Sequence, residues 1–123
     1  HVMDIMATCV DLAEAEYPEV YKGHEIIPME GESLVPLFKY GTRVGHDYLG
    51  FEHFNESALI SRDGWKIVRP GVKAEWELYN LNEDRSEKHN IADQHPEILA
   101  RMIEAYDEWT RRCMVVPYPG QKK

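Results

Sequence analysis

No run of the sequence approaches the roughly 18 uninterrupted apolar residues that a membrane-crossing helix needs. Cysteine is scarce: the 123 residues include only Cys9 and Cys113. The two are far apart, form no CxxC and have no metal-ligand spacing, so they read as packing residues; sequence alone does not decide whether they meet in a disulfide. Basic residues are in deficit, 14 Lys and Arg against 22 Asp and Glu, for a net charge of −8. No basic stripe with interleaved aromatics offsets this, which argues against nucleic acid and anionic membrane surfaces as partners. The common catalytic signatures are missing as well. Ser33 in Gly31-Glu32-Ser33-Leu34 lacks the closing glycine of a GxSxG elbow. No GxGxxG or GxxxxGK[ST] phosphate cradle occurs. The six histidines, His1, His24, His46, His53, His89 and His95, form no HxH, HxxH or HExxH pair. They read as surface or hydrogen-bonded side chains rather than metal ligands. Glu30 and Glu32 flank Gly31 and read as solvated.

What is present is ordinary globular material, 43% hydrophobic and 29% charged, enough for a core in a chain of this length. The acidity is concentrated at the front: residues 1–40 hold 8 acidic and 2 basic groups, residues 41–79 hold 6 and 5, and residues 80–123 hold 8 and 7. His1–Ala15 is expected to be a helix, with Val2, Ile5, Met6, Cys9, Leu12 and Ala13 as one apolar stripe and Asp4 suited to the positive end of the helix dipole. Tyr17-Pro18 should end it. Residues 16–47, broken by Pro18, Gly23, Pro28, Gly31, Pro36, Gly41 and Gly45, predict a long irregular segment with one short helical turn at Ser33–Phe38.

The middle predicts four strands: Tyr48–Phe54, Ser57–Ser61, Trp65–Arg69 and Glu75–Asn80, rich in aromatic and β-branched residues. Asn55-Glu56, Asp63-Gly64 and Pro70-Gly71 supply the turns, and such short links imply antiparallel pairing. Trp65 and Ile67 share one face and Lys66 and Val68 the other; Trp76 and Leu78 lie opposite Glu75 and Glu77. The tail predicts a helix from His95-Pro96-Glu97, with Ile98, Leu99, Met102, Ile103, Tyr106 and Trp109 as its stripe, Arg111 and Arg112 in its last turn, and Pro117 and Pro119 as its stop. The expected class is α+β: a small antiparallel sheet of about four strands packed by the C-terminal helix, preceded by an N-terminal helix and the long irregular segment. One local group could touch a polar substrate. In Glu52-His53-Phe54-Asn55, at a strand end, His53 and Asn55 are the candidate contacts. Asn55-Glu56-Ser57 also fits the glycosylation triplet but reads as a turn.

Several segments together resemble the carboxyl-terminal part of the sulfatase family, in particular bacterial arylsulfatase-like enzymes of the alkaline-phosphatase-like superfamily. Trp76-Glu77-Leu78-Tyr79-Asn80-Leu81, Glu83-Asp84-Arg85-Ser86-Glu87 and Asn90-Ile91-Ala92-Asp93-Gln94-His95-Pro96-Glu97 are similar to the family's WELYDL…D.TE..NLA..HPE. Asp63-Gly64-Trp65-Lys66-Ile67-Val68 resembles DGDWKLV, and Phe51-Glu52-His53 resembles WEH. The opening residues His1–Thr8 and Glu30-Gly31-Glu32-Ser33-Leu34 are similar to DIMPT and EG.SL. There are departures: Ala7 replaces a Pro, and Phe54-Asn55-Glu56-Ser57 stands where the family has Glu-Gly-Asn-Arg.

The resemblance implies a sulfuric ester hydrolase. Such enzymes use a formylglycine nucleophile made from Cys-x-Pro-Ser-Arg, and a calcium ion held by Asp and Asn. Neither Cys9 nor Cys113 fits that motif. The calcium ligands belong to upstream family segments, so no catalytic residue, metal ligand or cofactor is expected in this chain. Residues 1–40 would be the last helix and exit segment of the parent α/β domain, and 41–123 the C-terminal subdomain, with one sheet edge near the pocket mouth. The chain opens in mid-pattern at His1-Val2-Met3-Asp4 and is expected to be a piece of something longer, inactive alone. The helical stripe at 2–13 then needs a partner: the parent domain, the chain's own sheet, or a second copy in a homodimer. The compartment is open, though sulfatases of this kind are often periplasmic or secreted. The alternatives are a free-standing binding module, using the sheet face or acidic front end, and an autonomous metal-dependent or hydrolytic enzyme.

Overall fold

A computed structural model describes residues 1–116; the expected stop at Pro117 and Pro119 lies outside the described residues. The chain divides into two compact units, His1–Gly45 and the residues from His46 onward.

In the first unit, α1 (Asp4–Leu12) is followed by a hairpin of β1 (Val20–Tyr21) and β2 (His24–Glu25), and then by α2 (Val35–Tyr40). The helix is shorter at both ends than periodicity predicts; Glu14, just beyond it, takes a left-handed φ of 50°. The segment expected to be irregular contains the β1–β2 hairpin, closed by Lys22 and Gly23 with φ of 52° and 83°, the signs a primed turn requires. The expected helical turn falls at α2, two residues later than predicted, and ends at Gly41 in the left-handed region.

The inward side of α1 is polar. Asp4, Ala7 and Thr8 are buried, while Val2, Ile5, Met6 and Leu12 are exposed. The reason lies in backbone groups of the extended segment that follows. Asp4 Oδ1 accepts from the Glu32 N–H at 2.9 Å, and Thr8 Oγ1 accepts from the Leu34 N–H at 2.9 Å. Asp11 pairs with the Ser33 hydroxyl. Arg43 donates to Asp4 Oδ2 at 2.9 Å and to the Glu32 carbonyl at 3.2 Å. Three residues at i, i+4 and i+7 line one helix face, and buried backbone groups must find partners. These bonds turn the polar face inward. Asp4 is thus more than a dipole partner: it is fully buried against Arg43. Gly31 passes so close that a Cβ there would lie 2.1 Å from the Met3 carbonyl oxygen.

The second unit is a four-stranded antiparallel meander, β3 (Tyr48–His53), β4 (Glu56–Ser61), β5 (Trp65–Arg69) and β6 (Glu77–Asn80), in that spatial order. A 3-10 turn at Ala92–Gln94 leads into α3 (Pro96–Arg112), which starts at the proline the sequence marked. Register aligns Gly50, Leu59, Ile67 and Leu78 across the sheet. The last three are fully buried and, with Met102 and Tyr106 of α3, make the core. Gly50 completes the row without a side chain. A Cβ there would lie 2.3 Å from the Trp109 ring, so the indole lies on the edge strand's backbone. The other face carries Lys66 and Val68, as alternation predicts. Beyond β6, Asn90 Oδ1 accepts from the Leu78 N–H at 3.1 Å and the Ala92 N–H at 3.0 Å. This clips the outer strand to the start of the helical region. No helix among the described residues is long and apolar enough to cross a membrane.

Two stability predictions follow from these contacts. Gly50→Ala should cost about 1–3 kcal/mol by overpacking, and much less in a Trp109→Ala background; urea denaturation of the four variants tests the coupling. Asp4→Ala should cost about 3 kcal/mol, because it removes the acceptor of the Glu32 N–H and leaves half-buried Arg43 with the more distant Glu32 carboxylate, at 3.3 Å, in its place. Asp4→Ala/Arg43→Met should recover part of that in the same assay, and a double variant no more stable than Asp4→Ala would rule the weakened Arg43 pairing out as the cause.

Candidate functional site

The β3–β4 hairpin ends in a two-residue turn. His53 pairs with Glu56, so the central residues are Phe54 and Asn55, with φ of 48° and 83°. Asn55-Glu56 had been expected there. The turn lies one residue earlier because Ser57, Leu59 and Ser61 are all buried, and a one-residue slip would turn that whole set outward. Glu56 consequently begins β4 rather than forming the turn.

Both predicted contact residues sit at this tip. His53 is exposed at the end of β3, and its ring meets that of Phe54 at 4.3 Å between centroids and 70° between planes. Asn55 is half-buried, and its Oδ1 is buried with no hydrogen-bond partner among the described residues. An unpaired buried acceptor costs about 1–3 kcal/mol, which singles this atom out. Phe54 stands between His53 and Asn55 in the turn.

On the inner face next to the tip, register places Ser57 opposite Arg69. Arg69 donates to Ser57 Oγ at 3.3 Å, and its guanidinium lies 4.7 Å from the Trp76 ring centroid. Its Nε is buried without a partner. Trp76 in turn packs edge-on against Tyr106 at 5.0 Å. Composition and motifs do not single out Arg69. The available signal was parity: Arg69 is two residues from Ile67 on the inward face, where a cation needs an aromatic or an acceptor.

Two other polar clusters are self-contained. At the far end of the sheet Ser61 donates to Asp63, Arg101 reaches Asp63 at 3.2 Å and Arg62 pairs with Asp47 at 2.8 Å. Asp47, Ser61, Arg62 and Asp63 line a depression with Tyr48. The Ser61 hydroxyl, helped by Arg101, holds the Asp63 carboxyl below the usual carboxylate range. On the outer sheet face Lys66 bonds both Glu87 oxygens at 2.7 and 2.8 Å, and the Tyr79 phenol donates to Glu77 at 2.8 Å. Burial, and then that hydrogen bond, push the phenol up to about 12. It therefore stays protonated and donating through the neutral range.

Among the described residues no group of three or more His, Cys, Asp or Glu could hold a metal ion, and no disulfide joins Cys9 and Cys113. A calcium cage and a formylglycine nucleophile do not fit the residues present here, and no chemical step of either is assigned to them.

No protein-family model matches the chain. Relatives nevertheless align over most of it. An uncharacterized sulfatase of Schizosaccharomyces pombe is 34% identical over 124 residues, covering 96% of this chain and 22% of that protein. The N-acetylgalactosamine-6-O-sulfatase of Bacteroides thetaiotaomicron is 28% identical over 83% of this chain and 22% of its own length. In fold, the chain matches a structure from the Bacteroides thetaiotaomicron locus for metabolism of multiple glycosaminoglycans, with a TM-score of 0.70 at 21% identity, over 88% of this chain and 24% of that one. The chain thus spans between a fifth and a quarter of the length of the proteins it matches. Nearly all of this chain is thus similar in sequence to a sulfatase, and its α+β frame is one that a solved structure shares.

Proposed function

We propose that the chain is the carboxyl-terminal subdomain of a larger sulfuric ester hydrolase, rimming the substrate pocket without breaking the ester bond itself. In this reading residues 1–40 close the parent α/β domain, and residues 41–123 form the subdomain. Calcium and formylglycine belong to the upstream portion. The observation that carries the reading is the lopsided coverage: nearly all of this chain aligns, yet to only 22% of a sulfatase. The substrate class is a sulfated saccharide, in line with a relative named for N-acetylgalactosamine 6-O-sulfate.

His53 and Asn55 are the substrate contacts in this reading. Two features support them: an exposed imidazole at a strand end, and an amide oxygen without a partner beside it. The stripe of Val2, Ile5, Met6 and Leu12 on α1, all exposed, is the face on which the upstream domain packs. Four large apolar side chains on one helix are costly to leave in water.

Two experiments address these assignments. In the full-length protein, His53→Ala should raise KM for a sulfated saccharide by about three- to tenfold, the loss of one hydrogen bond, with kcat little changed. Steady-state kinetics showing neither constant altered would remove His53 from the site. The 123-residue segment alone should self-associate through α1 with rising concentration, and Ile5→Glu/Met6→Glu should restore the monomer. Sedimentation equilibrium that finds a monomer at every concentration would reject α1 as a docking face.

A further inference from the structure

The hairpin tip carries a side chain that its geometry does not call for. Two-residue turns with both central φ positive favour Asn, Asp and Gly. Here the first central residue is Phe54, at 48°, and a bulky residue in the left-handed region is strained. Core burial does not offset this strain, since Phe54 is 61% exposed. The tilted contact with His53, 4.3 Å and 70°, suits two ring quadrupoles and restricts the freedom of both. Next in sequence is Asn55, whose Oδ1 is buried without a partner. An oriented aromatic ring, an exposed imidazole and an unsatisfied amide therefore occupy three consecutive positions at one end of the sheet.

We propose that Phe54 is a stacking platform for a pyranose ring of a sulfated saccharide, with His53 as the polar contact beside it. This rests on the pocket-rim reading and names the part of the ligand that the rim takes. The chemistry selects the sugar ring rather than its sulfate. Pyranose C–H bonds are weakly positive and suit the negative face of an aromatic ring, whereas an anion is repelled by it. Stacking also removes apolar surface of both partners from water. The sugar hydroxyls at the rim of the stacked ring can then exchange hydrogen bonds with the exposed His53. The platform is a specificity device: a small aryl sulfate has no second ring to lay on it.

The test uses the full-length protein with two variants, Phe54→Asn and Phe54→Tyr, and two substrates, a sulfated disaccharide and nitrophenyl sulfate. Phe54→Asn suits the turn better than phenylalanine and removes the ring; Phe54→Tyr keeps it. The expected result is a KM for the disaccharide raised about three- to tenfold in Phe54→Asn, with kcat little changed. Phe54→Tyr should stay close to the parent, and turnover of nitrophenyl sulfate should be unaltered in both. An unchanged disaccharide KM in Phe54→Asn overturns the platform, as does an equal loss on both substrates. Wild-type protein that cleaves nitrophenyl sulfate but not the disaccharide overturns the platform and the saccharide assignment, while leaving the sulfatase reading intact. Wild-type protein that cleaves neither overturns the sulfatase reading and, with it, the platform.

Discussion

The indole of Trp109 rests on the backbone of Gly50, and the placement of the hairpin tip depends on that contact. Among the described residues β3 is an edge strand, paired on one side only, with β4. Hydrogen bonds to a single neighbour leave an edge strand free to fray. Here α3 reaches past the buried row of Leu59, Ile67 and Leu78 and covers the outermost strand as well. It can do so because position 50 offers no side chain. The strand that ends in His53 is thereby held by its ladder on one side and by an aromatic plate from above.

Elsewhere the chain meets a different demand, the pairing of backbone groups in segments that are neither helix nor strand. The answer is the same in each place: a short polar side chain stands in for a missing backbone partner. Asp4 and Thr8 receive the N–H groups of Glu32 and Leu34. Asn90 receives those of Leu78 and Ala92. Asp84 receives those of Lys88 and His89, which holds its own carboxyl below the usual range. Each clip joins stretches separated in sequence or turns the chain sharply.

Much of the frame was legible because it obeys simple periods. The strand alternation of Trp65–Val68 and the proline at the start of α3 both translate directly into structure. The inward face of α1 was not legible in this way. Hydropathy favours Ile5, Met6 and Leu12, but the side chains turned inward are Asp4, Ala7 and Thr8. Their partners lie more than twenty residues downstream, a distance that a helical wheel does not see. The β1–β2 hairpin escaped notice for another reason: each strand is only two residues long, too short for a period to register. At the hairpin tip His53 and Asn55 were visible as residue types. The role of Phe54 was not, since its backbone angle, rather than its identity, sets it apart.

The clips and the tip divide the sequence between them in an instructive way. The stretches that resemble sulfatases, around Asp4, Gly31, Asp63 and Asn90, are the ones that satisfy backbone groups or allow close approach. The stretch that departs from the family pattern, Phe54 to Ser57, opens in the turn beyond the last ladder pair, His53 with Glu56. A frame fixed by interior hydrogen bonds tolerates little change at its clips, whereas a turn beyond the last ladder pair can be rebuilt at small cost to the core. Residues 54 and 55 can therefore change while the sheet and α3 keep their packing, which places changeable side chains at the end of a hairpin held by its ladder and by α3.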